Sequence, residues 1–190
     1  GLSARFNDLS SENADNIIDA GGTGADNASV WLIVWGPNTC HGIIPQGSKA
    51  GIQQRDLGEV TVENADGAGG RMQAYRTHYR WDVGLTVRDW RYVVRIANID
   101  RSLLTRDLST GADLNDLMEQ AVTEIPNINF GRAAFYMDKG LLSMLRRQTA
   151  NAVKNSTLGK DDVGGIKVTT FDGVPIRRCD ALSANEARVV

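Results

Sequence analysis

A chain of 190 residues with 42% hydrophobic and 23% charged residues is long enough to bury a real core, as one domain or two small lobes. Its longest apolar run, Val30 to Trp35, is six residues, far short of the roughly 20 that cross a bilayer as a helix, so no membrane span is expected. A net charge of −2 and a pI near 5.7 argue against tight binding to nucleic acid through phosphates.

The chain opens at Gly1, without Met and without a basic, then apolar, signal segment, and so reads as a piece of a longer protein. Asn13 to Asp19 suggests a short helix with Ala14, Ile17 and Ile18 on one side, ended by the glycine cluster Gly21-Gly22-Thr23-Gly24. Ser29 to Trp35 is apolar almost throughout and stops at Gly36-Pro37-Asn38, which predicts a strand buried on both faces. Val60 and Val62 mark another strand, and the small turn-formers of Asn64 to Gly70 let the chain reverse, giving a hairpin.

From Tyr75 to Val87 the odd positions are Tyr75, Thr77, Tyr79, Trp81, Val83, Leu85 and Val87, whereas the even ones include Arg76, His78, Arg80 and Asp82. Period two predicts one long strand of about 40 Å, with one buried face and one solvated or partner-facing face. The phase flips at Arg88 to Trp90, where an extra residue or a tight turn is required, because a slip of one residue exchanges the faces. Beyond it Trp90, Tyr92, Val94 and Ile96 form the apolar side, with Arg91 and Arg95 opposite.

Leu114, Leu117, Met118, Ala121, Val122 and Ile125 follow a helical period, with Asp113 as its cap and Pro126 as its stop. Ala133 to Met137 predicts a short strand, Asp138 an N-cap, and Leu141, Leu142 and Leu145 a second helix ending near Asn151. Ile166 to Phe171 and Val174 to Cys179 flank Asp172-Gly173, a dipeptide suited to a two-residue hairpin turn, which leaves Pro175 on an edge or a bulge.

Candidate chemistry is sparse. Gly42 to Lys49 resembles a phosphate-binding loop, but Ser48 and Lys49 are transposed relative to the order that brings lysine to phosphate and hydroxyl to magnesium, and no helical period follows. Cys40 and His41 are neighbours that point to opposite faces of an extended chain and cannot share a proton. Cys40, His41, His78 and Cys179 lack metal-ligand spacing, and two cysteines make no framework, leaving two reduced thiols or a Cys40–Cys179 bridge. Asp113, Asp116 and Glu119 suit a helix N-terminus better than a catalytic pair. Arg146-Arg147 and Arg177-Arg178 read as solvated faces or subunit contacts. No catalytic, cofactor-binding or metal-ligating residue is expected.

Charge is uneven. Residues 1 to 66 carry three basic and nine acidic groups, residues 71 to 106 eight Arg and three Asp, and the chain has 16 Arg against 5 Lys. Planar guanidinium groups favour fixed, bidentate pairing with carboxylates, which makes Arg76, Arg80, Arg88, Arg91 and Arg95 candidates for contacts within and between subunits.

Trp35-Gly36-Pro37-Asn38-Thr39-Cys40-His41-Gly42, Gly47-Ser48-Lys49-Ala50-Gly51, Asp56-Leu57-Gly58-Glu59, Tyr75 to Tyr79, Val87 to Asp100 and Ile176 to Leu182 together resemble the C-terminal part of a tailed-bacteriophage major capsid protein of the Hong Kong 97-type fold. The resemblance covers nearly the whole chain. It implies an α+β shell subunit, not an enzyme, that self-assembles as pentamers and hexamers into an icosahedral virion capsid enclosing double-stranded DNA without sequence-specific binding. Scaffolding, cement and portal proteins are the further partners it implies, with no cofactor and no membrane. It places an axial lobe within 103–160 and peripheral or connecting strands within 28–100 and 164–190, and puts the N-terminal arm, extended loop and spine helix before Gly1. The competing readings are an Arg-rich nucleic-acid-binding module and a nucleotide-handling enzyme using the loop from Gly42 to Lys49.

Overall fold

The computed structural model describes residues 2–65, 67–151, 158–163, 166–183 and 185–190. Residues 152–157, within the stretch assigned above to an axial lobe, and residues 164–165 lie outside these. In chain order the elements are β1 (Ile17–Asp19), β2 (Asn27–Trp35), β3 (Cys40–Ile43), β4 (Gln53–Glu63), β5 (Arg71–Arg80), β6 (Gly84–Val87) and β7 (Val93–Asp100). Then follow α1 (Leu114–Glu124), β8 (Arg132–Met137), α2 (Lys139–Asn151), β9 (Leu158–Val163), β10 (Ile166–Phe171) and β11 (Val174–Arg178). The fold is mixed α+β, and its contacts divide it into one unit of residues 1–41 and 87–190 and another of 42–86.

In the larger unit the strands run β1-β7-β2-β8-β11-β10-β9. β2 is antiparallel to both β7 and β8, while β1 joins β7 and β11 joins β8 in parallel. β2 is central because its side chains are apolar on both faces, and only a position covered on both sides uses all of them. Val30, Leu32 and Val34 enter one core cluster with Val94, Ile96, Phe135 and the helices, whereas Trp31 and Ile33 enter a second with Phe6, Val93, Ala97 and Val189. Each fully buried aliphatic or aromatic side chain contributes about 1.5–3 kcal/mol. Gly131 sits where a Cβ would lie 2.3 Å from the Trp35 carbonyl oxygen, so only glycine lets β8 begin beside the end of β2.

The helices cover one face. α1 buries Leu114, Leu117, Met118 and Ala121, and Asp113 caps it by accepting from the backbone N–H groups of Asn115 and Asp116. α2 begins after Asp138, whose Oδ2 accepts from the Gly140 N–H at 2.8 Å, and it buries Leu141 and Leu145. Gln148 ties the two helices: its Oε1 accepts from the Leu114 N–H at 3.2 Å and its Nε2 donates to the Thr105 and Ala112 carbonyls. The β10–β11 turn is as predicted, with Asp172 at φ 48° and Gly173 at φ 76°, the pair of positive values that a two-residue turn of the primed type requires.

Three expectations are corrected. Asn13 to Asp19 is a short 3₁₀ turn (Ala14–Asn16) running into β1, because Ile17 and Ile18 complete the parallel edge beside Arg95 and Ile96 of β7. The single long strand from Tyr75 to Val87 is two strands, β5 and β6, separated at Trp81-Asp82-Val83. Its apolar face is not buried within the chain: Tyr75 is 82% exposed, Tyr79 63% and Trp81 59%. The phase flip does contain a tight turn, a 3₁₀ turn at Trp90–Tyr92 capped by Asp89.

The smaller unit is a hairpin. β4 and β5 form a two-stranded antiparallel sheet of their own, from Gln53 opposite Arg80 to Glu63 opposite Arg71, with a bulge between Asp56 and Glu59. Within the bulge Gly58 adopts φ 68°, a conformation glycine takes without strain. β4 starts well before Val60, since the polar run Gln53 to Asp56 has no apolar alternation that could announce it.

Candidate assembly surface

The five candidate arginines fall into two physical classes. Arg95 points from β7 into the second core cluster and is 3% exposed. Its Nη2 pairs with Glu186 Oε2 at 2.7 Å, its Nε donates to Ser29 Oγ at 3.0 Å, and its Nη1 donates to the Phe6 carbonyl at 2.5 Å. Ser29 Oγ also donates to Glu186, and the guanidinium lies 5.2 Å from the centre of the Trp31 ring. These contacts hold together the N-terminal segment, β2, β7 and the C-terminal segment of one chain. A buried guanidinium is tolerated only with such a set of partners.

The other four are exposed. Arg91 chelates Asp89 through Nε and Nη2 at 3.0 and 2.8 Å, and Arg80 pairs with Asp82 at 3.0 Å, each two residues away in sequence. Arg91 holds the Asp89 carboxyl below the usual carboxylate range, chiefly by hydrogen bonding. The side chains of Arg76 and Arg88 have no ion-pair partner among the described residues. Sequence reasoning treated all five alike, yet within the larger unit Arg95 is enclosed whereas Arg88 and Arg91 are exposed.

The remaining candidates resolve as structural groups. The loop from Gly42 to Lys49 leads into β4 and not into a helix, so no helix N-terminus faces an anion there. Ser48 Oγ donates instead to the Pro45 carbonyl at 2.8 Å. Cys40 is fully buried and free, and burial pushes its thiol up to about 11. Cys179 is also free and partly exposed, so no bridge joins the two. Asp116 accepts from Gln120 on the surface, and the exposed Arg146 donates to the buried Thr169 hydroxyl at 2.7 Å. Arg178 pairs with Asp180 at 2.5 Å. Among the described residues no cluster of three His, Cys, Asp or Glu side chains could hold a metal ion. Glu186 and Ser29 were missed; a serine inside the apolar run of β2 was a local sign of a polar group in that core.

What these elements offer is extended surface, and the comparison with known proteins agrees. Residues 1–190 match the family described as major capsid protein GP7. The chain belongs to that family. Major capsid proteins of this kind are structural components of phage shells, not enzymes. The capsid chain is also similar to a solved chain of bacteriophage Epsilon15, determined by cryo-EM, with 36% identity and a TM-score of 0.56. That match covers 93% of the capsid chain and 53% of the solved one, so the capsid chain spans about half its length. No curated protein matches.

Proposed function

We propose that this chain is part of a subunit that self-assembles into the icosahedral shell of a tailed double-stranded DNA bacteriophage, and that it resides in the virion capsid. The match of all 190 residues to a major capsid protein family carries the reading. In that role the subunits form pentamers and hexamers, and the helical segment within 103–160 belongs to the axial lobe. The strands within 28–100 and 164–190 then supply peripheral or connecting structure. Arg76, Arg80, Arg88 and Arg91 meet acids of neighbouring copies, which their exposure supports, as does the lack of an ion-pair partner for Arg76 and Arg88 among the described residues. A net charge of −2 suits a container that holds DNA without gripping its phosphates. Scaffolding, cement and portal proteins are the partners such a shell uses.

The test is to express the protein from its complete gene and examine it by sedimentation and electron microscopy. Closed particles of uniform diameter are expected. A protein that stays solitary across salt and concentration overturns the reading, as does one that turns over a small molecule.

A further inference from the structure

The hairpin β4–β5 is largely exposed on both faces, with Gln53, Val60, Val62 and Ala74 half-buried, although an isolated two-stranded ribbon is marginal in water. Its register sorts the side chains by face. Residues opposite one another share a face, and faces alternate along each strand. One face carries Arg80, His78 and Arg76 of β5 with Gln53 and Arg55 of β4, followed toward the tip by Ala74, Met72, Val60 and Val62. It holds three arginines and no acid. The other carries Tyr79, Thr77, Tyr75, Gln73 and Arg71 with Gln54, Asp56, Glu59, Thr61 and Glu63. It holds three acids, one arginine and two tyrosines. Apart from the Arg80–Asp82 pair, none of these charges has an ion-pair partner among the described residues.

We infer that copies of this chain stack their ribbons face to face, the Arg55, Arg76 and Arg80 face of one on the Tyr75, Tyr79, Asp56 and Glu59 face of the next. The inference rests on the shell reading above. The complement of each face lies on the reverse of the same ribbon at the same level along the strands, so a second copy brought alongside without inversion meets its match. Sheets packed face to face stand about 10 Å apart, a gap that arginine and tyrosine side chains fill from either side. Guanidinium groups over phenol rings add cation–π attraction to the charge pairing. Because each face meets a different one, the contact is heterologous and repeats around a ring. A nucleic acid would suit the arginine face alone and would leave the acidic, tyrosine-bearing face unexplained.

Arg76 and Glu59 decide the matter. They lie on opposite faces of their own ribbon and make no ion pair with one another in the chain, so coupling between them must come from different copies. In the protein expressed from its complete gene, Arg76→Glu and Glu59→Arg should each lower particle yield about tenfold or more. The Arg76→Glu/Glu59→Arg double variant should recover to within about threefold of wild type, because each reversed charge again meets an opposite one. Both sites are exposed, and thermal denaturation of the soluble subunits should show all three variants folded as wild type.

Single variants that assemble at wild-type yield overturn the stacking while leaving the shell reading intact, as does a double variant no better than the singles. Salt-sensitive DNA binding by the wild-type chain that Arg76→Glu abolishes, with particle yield unchanged, assigns the arginine face to nucleic acid and also overturns it. Wild-type protein that builds no particle removes the shell reading and this inference together.

Discussion

Strands β7 and β5 are eight and ten residues long, and both carry arginine, yet every residue of β7 is buried and nine of the ten in β5 are exposed. β7 is the more apolar of the two, and it is also the one that the rest of the chain covers. β7 lies between β1 and β2, beneath helix α1 on one face and the terminal segments on the other, so even Arg95 is enclosed. β5 pairs with a single strand, β4, and nine of its ten residues are exposed. Burial of a side chain is therefore a property of what surrounds a strand. An alternating pattern can thus belong to a strand that the rest of the chain leaves exposed.

The largest test of this contrast is Arg95. Arg95→Met leaves Glu186 without its ion-pair partner and should cost about 3–5 kcal/mol in denaturant unfolding. The Arg95→Met/Glu186→Leu double variant should recover much of that loss, since a well-packed apolar pair often replaces a buried ion pair at little cost. An Arg95→Met variant as stable as wild type would mean that the segment carrying Glu186 does not close over β7.

Next come apolar truncations. Ile96→Ala in β7 should destabilise by about 2–5 kcal/mol, whereas Tyr75→Ala in β5 should stay within about 0.5 kcal/mol, both by urea titration of the soluble subunit. Equal losses at the two sites would show that the ribbon is covered in the free chain.

The thiols give a smaller, kinetic contrast. With its thiol pushed up to about 11 by burial, Cys40 should resist a thiol reagent at neutral pH, and Cys179 should react first. Absorbance should report one reactive thiol in the native protein and both after denaturation.

The smallest effect belongs to the exposed pair. The Asp89 carboxyl is depressed by Arg91, so whatever it contributes is complete above the ordinary carboxylate range and fades as pH falls through the lowered value. Arg91→Ala should lower the melting temperature at pH 7 only slightly, because the pair is exposed, and that small difference from wild type should disappear as pH falls below the carboxylate range. Particle yield is the readout in which an intersubunit role for Arg91 would appear.

Much of the local structure was legible because each signal acts over a few residues. Asp113 and Pro126 bound α1, Asp138 starts α2, Asp172-Gly173 turns the chain, and the apolar run of β2 needs cover on both faces. The polar start of β4 and the three-residue β1 carry no such periodic signal, and they exist because a partner strand accepts their hydrogen bonds. The candidate arginines were visible as a set, but their division was not. The Arg95–Glu186 contact joins residues 91 apart in sequence, whereas Arg91 meets an acid two residues away.

Residue order by itself determined where β2, α1, β8, α2 and the β10–β11 turn occur, because periodicity, caps and turn residues act through neighbours on the chain. It also determined that Arg76 and Tyr75 lie on opposite faces of β5, since period two separates them wherever the strand lies, whereas the bulge that puts Asp56 and Glu59 on one face of β4 came with the structure. Only the tertiary structure decided which alternating strand would be enclosed and which left bare, and which arginine would be locked to a distant carboxylate. Those outcomes depend on contacts between segments far apart in the chain, and the energy of a buried charge or an exposed ring is set by what the fold places beside it.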